Sequence, residues 1–104
     1  MVKINISKDF SAYPSGRYRR DSAFSGEAFR DELLAPTLEK NDVVEVMFDG
    51  SLGYSSSFLE EAFGGLVRQK KFSKETLHRK LKLYYKEDPI LIEEIWQYID
   101  QAYA

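Results

Sequence analysis

The run Val43-Val44-Glu45-Val46-Met47-Phe48 constrains this chain most, because it is almost unbroken in apolar character and rich in β-branched side chains. Such a stretch suits a central strand covered on both faces, so the rest of the chain is expected to supply layers that cover it. The run is also the longest apolar one, far short of the roughly 20 residues that cross a bilayer, and the start MVKINIS lacks a signal-peptide core. A cytoplasmic protein with no membrane contact is therefore expected. With 104 residues, the chain has the size of a single domain, placed here over 1–104, and can bury roughly two thirds of its unfolded surface.

On either side of this run the periodicity changes. Val2, Ile4 and Ile6 alternate with polar residues as in a half-buried strand. Tyr13-Pro14-Ser15-Gly16 has turn chemistry, and Arg17-Tyr18-Arg19 reads as an extended return limb, which together predict a β-hairpin opening. Ser25 precedes Glu27, Phe29, Leu33 and Leu34, a helical spacing with acid in the first turn, so a helix is predicted to about Glu39, kinked or shortened by Pro36. After the central strand, Asp49-Gly50-Ser51-Leu52-Gly53-Tyr54 is a loop by its glycines. Ser57-Phe58-Leu59-Glu60 has the form of a capping box, which starts a helix near Phe58 with a face of Leu59, Ala62, Phe63, Leu66 and Val67. Gly64-Gly65 weakens that helix, a cost that close packing on the sheet would explain. Ser73 caps a short helix through Leu77, and Leu81, Leu83 and Tyr85 alternate as a strand. Asp88-Pro89 is a cap followed by Pro at the first helical position, opening a last helix with Leu91, Ile92, Ile95, Trp96, Ile99 and Ala102 on its apolar face. The order β-β-α-β-α-β-α predicts an α/β fold, a mixed β-sheet covered by helices.

Chemistry is narrowed by what the chain lacks. There is no cysteine, which removes disulfides, thiolate metal sites and thiol nucleophiles, and the one histidine, His78, has no metal-ligand company. No metal or cofactor is expected. A catalytic triad is disfavoured because His78 lies in a Lys/Arg-rich stretch with no orienting acid nearby except Glu75. The acid pairs Glu60-Glu61 and Glu93-Glu94 read as solvated helix faces, since sequence neighbours point to different sides. No GxGxxG or Walker pattern is present. Arg17, Arg19, Arg20 and Arg30 form a cluster expected to pair with acids such as Asp21, Glu27 and Asp31, with an anion site as the alternative.

What remains is the loop at the end of the central strand, where α/β folds place ligands and partners. Ser55, Ser56 and Ser57 stand there at a helix start, where unpaired N–H groups and the helix dipole favour negative charge. On local sequence alone, Ser57 can simply be a cap and its neighbours small polar loop residues.

The motifs Ser15-Gly16-Arg17-Tyr18, Ser25-Gly26-Glu27 with Phe29-Arg30, and Ser56-Ser57-Phe58-Leu59-Glu60-Glu61-Ala62-Phe63-Gly64 resemble the STAS-like family of unknown function. The segment Val44–Val67 resembles the strand, loop and helix of STAS domains more broadly, the fold of anti-sigma factor antagonists. The resemblance covers nearly the whole chain. It implies a non-catalytic regulatory domain that binds a protein partner, a histidine-kinase-like ATP-binding regulator in the antagonists. In those proteins the loop carries Asp-Ser-Ser-Gly and its first serine is phosphorylated. Laid on this chain, the pattern puts Ser56 at the phosphoacceptor, with Ser55 in place of the Asp and Phe58 in place of the Gly. The implied partner-binding loop comprises Asp49, Gly50, Ser51, Gly53, Tyr54, Ser55, Ser57 and Phe58.

Charge supplies the rival reading. Arg68 to Lys86 holds eight Lys/Arg against one acid, Glu75, whereas Glu87 to Ala104 holds five acids and no base. Arg68, Lys70, Lys71, Lys74, Arg79, Lys80, Lys82 and Lys86, with Phe72, Tyr84 and Tyr85 among them, could meet phosphates and stack on bases of a nucleic acid. The net charge of −2 argues against a dedicated binder, and a solvated helix and strand edge explains the same residues.

Overall fold

The fold is given by a computed structural model that describes residues 2–103. β1 (Val2–Asn5) runs into a one-turn helix, α1 (Ile6–Asp9). A long helix, α2, follows as three continuous stretches, Gly26–Phe29, Arg30–Leu34 and Ala35–Lys40. Next come β2 (Val44–Met47) and α3, again in three stretches, Ser56–Leu59, Glu60–Gly64 and Gly65–Arg68. α4 (Lys74–Lys80), β3 (Leu81–Tyr84) and α5 (Pro89–Gln101) complete the order.

The three strands form one sheet in the order β1-β2-β3, and both pairings are parallel, with Val2 beside Val44 and Val44 beside Leu81. The α/β class and its helical cover are as the sequence implies, but the mixed sheet is not. Arg17-Tyr18-Arg19 forms no strand, because its backbone is drawn to the start of α2 instead. Gly26 N–H donates to the Gly16 carbonyl at 2.9 Å and Glu27 N–H to that of Arg17 at 3.0 Å. The Glu27 carboxylate in turn accepts from Arg19 N–H at 2.9 Å. Gly16 sits at φ +85°, which lets the chain turn back there.

The second departure concerns β2. Its burial alternates, Val44 and Val46 inward and Glu45 and Met47 half-buried, so only one sheet face is covered. On the other face the register sets Lys3, Glu45 and Lys82 in one row, an alternation of charge across three strands that suits water. The covered face meets one contiguous core that includes Ile4, Phe29, Leu38, Val46, Phe48, Phe63, Leu66 and Ile95. Fully buried Ser25 caps α2 by accepting from Ala28 N–H at 3.1 Å, and Asp88 caps α5 through Leu91 N–H at 3.3 Å, the latter as expected.

Pro36 does not end α2, which continues to Lys40. The stretch before it is π-helical, with Ala35 N–H donating to the Arg30 carbonyl five residues back, so the ladder is already widened where proline withholds its N–H. α3 holds a matching π-helical stretch at Glu60–Gly64. The backbones of the two long helices meet at Gly26, where any Cβ would collide with the Phe58 carbonyl oxygen. Gly64 and Gly65 do not face the sheet as expected. A Cβ at Gly65 would strike the Arg30 guanidinium, and one at Gly64 would meet Glu60 Oε2.

Between these helices lies an ion network. Arg30 and Glu61 are each 4 % exposed, and Arg30 Nη1 donates to Glu61 Oε2 at 2.6 Å and to the Glu61 backbone carbonyl at 3.1 Å. Arg30 Nε reaches Asp31 at 2.8 Å, and Lys70 Nζ lies 3.3 Å from the same carboxylate. Glu60 accepts from Arg17 at 2.5 Å and from Arg68 at 2.5 and 3.0 Å, while Glu61 Oε1 lies 3.3 Å from Arg17 and 3.5 Å from Arg68. Glu60-Glu61 is therefore no solvated pair, and Arg17 takes both its carboxylates from α3 rather than from its sequence neighbours. Arg30 does pair with Asp31 as expected.

Removing one partner of a buried pair leaves the other charge uncompensated, so Arg30→Met is expected to cost about 3–5 kcal/mol, and Arg30→Met with Glu61→Leu substantially less. Denaturant unfolding of the two variants measures this difference. The pH dependence follows from Glu60 and Asp31. Burial pushes both carboxyls up, but hydrogen bonds and charge from Arg68 and Arg17 on one, and from Arg30 and Lys70 on the other, hold them below their ordinary 4.5 and 3.8. A carboxyl depressed in the fold contributes stability above its unfolded value and loses it as pH falls through its folded value. The thermal midpoint should thus drop on acidification below 4.5, and Glu60→Gln should flatten that acid limb.

Candidate functional site

The loop from β2 to α3 is held at nearly every residue. Asp49, just past the strand, accepts from Lys86 N–H at 3.2 Å and Glu87 N–H at 3.3 Å, which fastens it to the chain leaving β3. Gly50, at φ +99°, packs so closely on Ser7 of α1 that a Cβ would meet its hydroxyl at 2.6 Å. Ser51 Oγ accepts from Gly53 N–H at 3.2 Å, and Leu52 N–H donates to the Ala12 carbonyl at 3.3 Å. Gly53, at φ +136°, has open space around it. The glycines of this loop thus supply a fixed left-handed geometry.

Tyr54 turns inward. Its hydroxyl donates to the Phe48 carbonyl at 2.5 Å, and its ring meets Phe48 at 5.3 Å, Tyr85 at 5.8 Å and Phe58 at 6.1 Å. Burial pushes its phenol up to about 12. Phe58 is fully buried in the core, so its side chain is not on offer to a partner. The cap of α3 is Ser55, whose Oγ accepts from Phe58 N–H at 3.2 Å. Ser57, expected as the cap, lies inside the first turn with its hydroxyl 3.4 Å from that of Ser55. Ser56 is exposed at the first helical position, and its hydroxyl makes no hydrogen bond among the described residues.

Sequence reasoning missed the exposed apolar side chains around this loop. Leu52 is 84 % exposed, Tyr13 68 % and Phe24 46 %. The segment after α1 gathers them: Ala12 binds Leu52, Tyr13 follows it, Ser15 N–H donates to the Phe24 carbonyl at 3.0 Å, and the Phe10 and Phe24 rings meet edge-on at 5.7 Å. An irregular segment has no periodicity to reveal such a grouping. Leu52 sits in the loop that leaves the carboxyl end of β2, where open parallel sheets present their binding loops, and its bond to Ala12 brings the segment of Tyr13 to that loop.

The basic segment does not form one strip. Arg68 and Lys70 are spent on Glu60, Glu61 and Asp31, while Lys74 Nζ donates to the Asp100 carbonyl at 2.6 Å and Lys80 Nζ to that of Leu38 at 2.9 Å. His78 has an orienting acid that lay too far along the sequence to be found: its Nε2 is 2.7 Å from Asp100 Oδ1, and its ring stacks on Trp96 at 4.3 Å. Among the described residues no group of three or more His, Cys, Asp or Glu is placed to hold a metal ion, and no helix is long and apolar enough to cross a membrane.

Comparison with known families assigns this fold. The model described as a STAS-like domain of unknown function (DUF4325) matches residues 25–90, from the cap of α2 to the first turn of α5. The chain belongs to this family. The matched stretch contains Arg30, Glu60, Glu61 and Arg68, the loop and the three serines, and leaves β1, Tyr13, Arg17 and Phe24 outside. Neither a curated protein nor a solved structure matches the chain.

The cap geometry separates the serines. Ser55→Ala is expected to lower stability by about 0.5–2 kcal/mol, and Ser57→Ala by only a few tenths, read as denaturation midpoints of the two variants side by side.

Proposed function

We propose that this chain is a non-catalytic regulatory domain that binds a protein partner through the surface formed by Tyr13, Phe24 and Leu52 beside Ser55 and Ser56. The exposure of Leu52, an aliphatic side chain on a loop braced at Asp49, Gly50 and Tyr54, carries this reading. A fixed loop that holds a large apolar group in water gains from covering it, and it binds without first paying to become ordered. By analogy with the anti-sigma factor antagonists, the partner is a histidine-kinase-like ATP-binding regulator.

In the finer form of the proposal, Ser56 is the switch. Ser55 is committed to the cap, whereas the Ser56 hydroxyl is exposed and without a hydrogen bond among the described residues. A phosphate there would sit at the N-terminus of α3, which tolerates it, and on the same loop as Leu52, where its charge and water shell would oppose apolar contact.

The test is binding of a captured regulator to wild type, Leu52→Asp and Ser56→Asp, with folding checked by circular dichroism. Leu52→Asp should cost about 2 kcal/mol or more of affinity, a roughly 30-fold loss, with little change in thermal midpoint. Ser56→Asp should weaken binding too, and mass spectrometry after incubation with the regulator and ATP should find phosphate on Ser56. If Leu52→Asp binds as wild type does, recognition lies elsewhere. If only the phosphate is missing, the surface stands and the switch does not.

A further inference from the structure

We propose that the outer edge of β3 is a second docking surface, which takes an extended acidic segment of a partner protein as an added strand. β3 ends the strand order, and among the described residues it pairs only with β2. Such an edge presents unpaired backbone N–H and C=O groups, a template for another strand. Here it is also flanked by space. A cavity of about 400 Å³ lies against His78, Leu81, Leu83 and Trp96, and one of about 500 Å³ against Met47, Tyr85, Pro89 and Ile92. Both share Leu83 and Tyr84, so they form one groove along the strand, with α5 as one wall.

Charge decides the occupant. Lys82 and Lys86 line the groove, both are exposed, and neither makes an ion pair among the described residues. The one lining acid, Asp49, accepts from the backbone of Lys86 and Glu87; of the acids adjoining, Asp100 is bonded to His78 and Glu45 lies across from Lys82 on the neighbouring strand. Edge lysines discourage pairing between two copies, because like charges would be brought together. The same lysines favour a strand that carries carboxylates between its apolar residues. This surface goes beyond the loop site and uses none of Tyr13, Phe24 or Leu52.

The protein holds its own reporter. Trp96 is the only tryptophan, and its ring forms part of the groove while stacked on His78 at 4.3 Å. The experiment titrates the whole chain with a short soluble peptide alternating valine and glutamate, its valine and lysine counterpart, and the acidic peptide with a central proline. Trp96 emission should change saturably with the acidic peptide, which should bind at least about tenfold tighter than the basic one and lose about tenfold on proline insertion. Lys82→Glu with Lys86→Glu, on exposed positions away from the core, should reverse the preference, while Leu52→Asp should leave it intact. Equal binding of both peptides, unchanged Trp96 emission, or a preference that survives the charge reversal overturns the proposal. So does sedimentation showing that the free protein self-associates through this edge, or loss of peptide binding in folded Leu52→Asp.

Discussion

The buried pair of Arg30 and Glu61 is the constraint on which the rest of the structure depends. Two charges withdrawn from water are tolerable only if their polar atoms are matched, and here they are, through Asp31, Arg17, Arg68 and a backbone carbonyl of α3. No buried side-chain nitrogen or oxygen among the described residues lacks a partner. The matching dictates other residues in turn. Gly65 is glycine because the guanidinium occupies the place of its Cβ, and Arg17 must be brought from an irregular segment onto the flank of α3. The network thereby ties α2, α3 and, through Arg17, the segment between β1 and α2 into one body.

The two π-helical stretches belong to the same arrangement. Arg30 opens one and Glu60-Glu61 open the other, and the Arg30 side chain enters the ladder of α3 by bonding the Glu61 carbonyl. Insertion of a side chain between successive turns is a recognised cause of local helix distortion. In α2 the widened turn that Ala35 N–H closes on the Arg30 carbonyl leaves room for the helix to continue through Pro36, which a regular helix would have resisted.

Most of the fold was legible in the sequence, because helix faces and strand alternation follow from burial alone. Caps at Ser25, Ser73 and Asp88 and the strand Leu81–Tyr84 follow from local chemistry that tertiary context did not disturb. The hairpin failed because Arg17-Tyr18-Arg19 looks extended by composition, while its backbone partners belong to α2. Ser57 was mistaken for the cap because Glu60 three residues later completes a capping box on paper, yet Arg17 and Arg68 hold that carboxylate. Glu61 seemed solvated because a charged residue carries no sign of a partner about thirty positions away. The family resemblance was legible too, and with it the loop. The apolar patch and the His78-Trp96-Asp100 cluster were not, since each joins residues that only the folded chain brings together.

The all-parallel register also governs how this chain can be made. Val2 pairs with Val44 and Val44 with Leu81, so no strand can pair with a neighbour close in sequence. A nascent chain leaving the ribosome has the helix-forming segment of α2 before it can have a sheet, because β1 must wait for β2 to emerge. Loop closure over such distances is entropically slow, which places late events in the sheet and early ones in α2 and α3. The edge strand β3 is then the last to join, and a chain stalled before it would expose β2 as an unprotected edge.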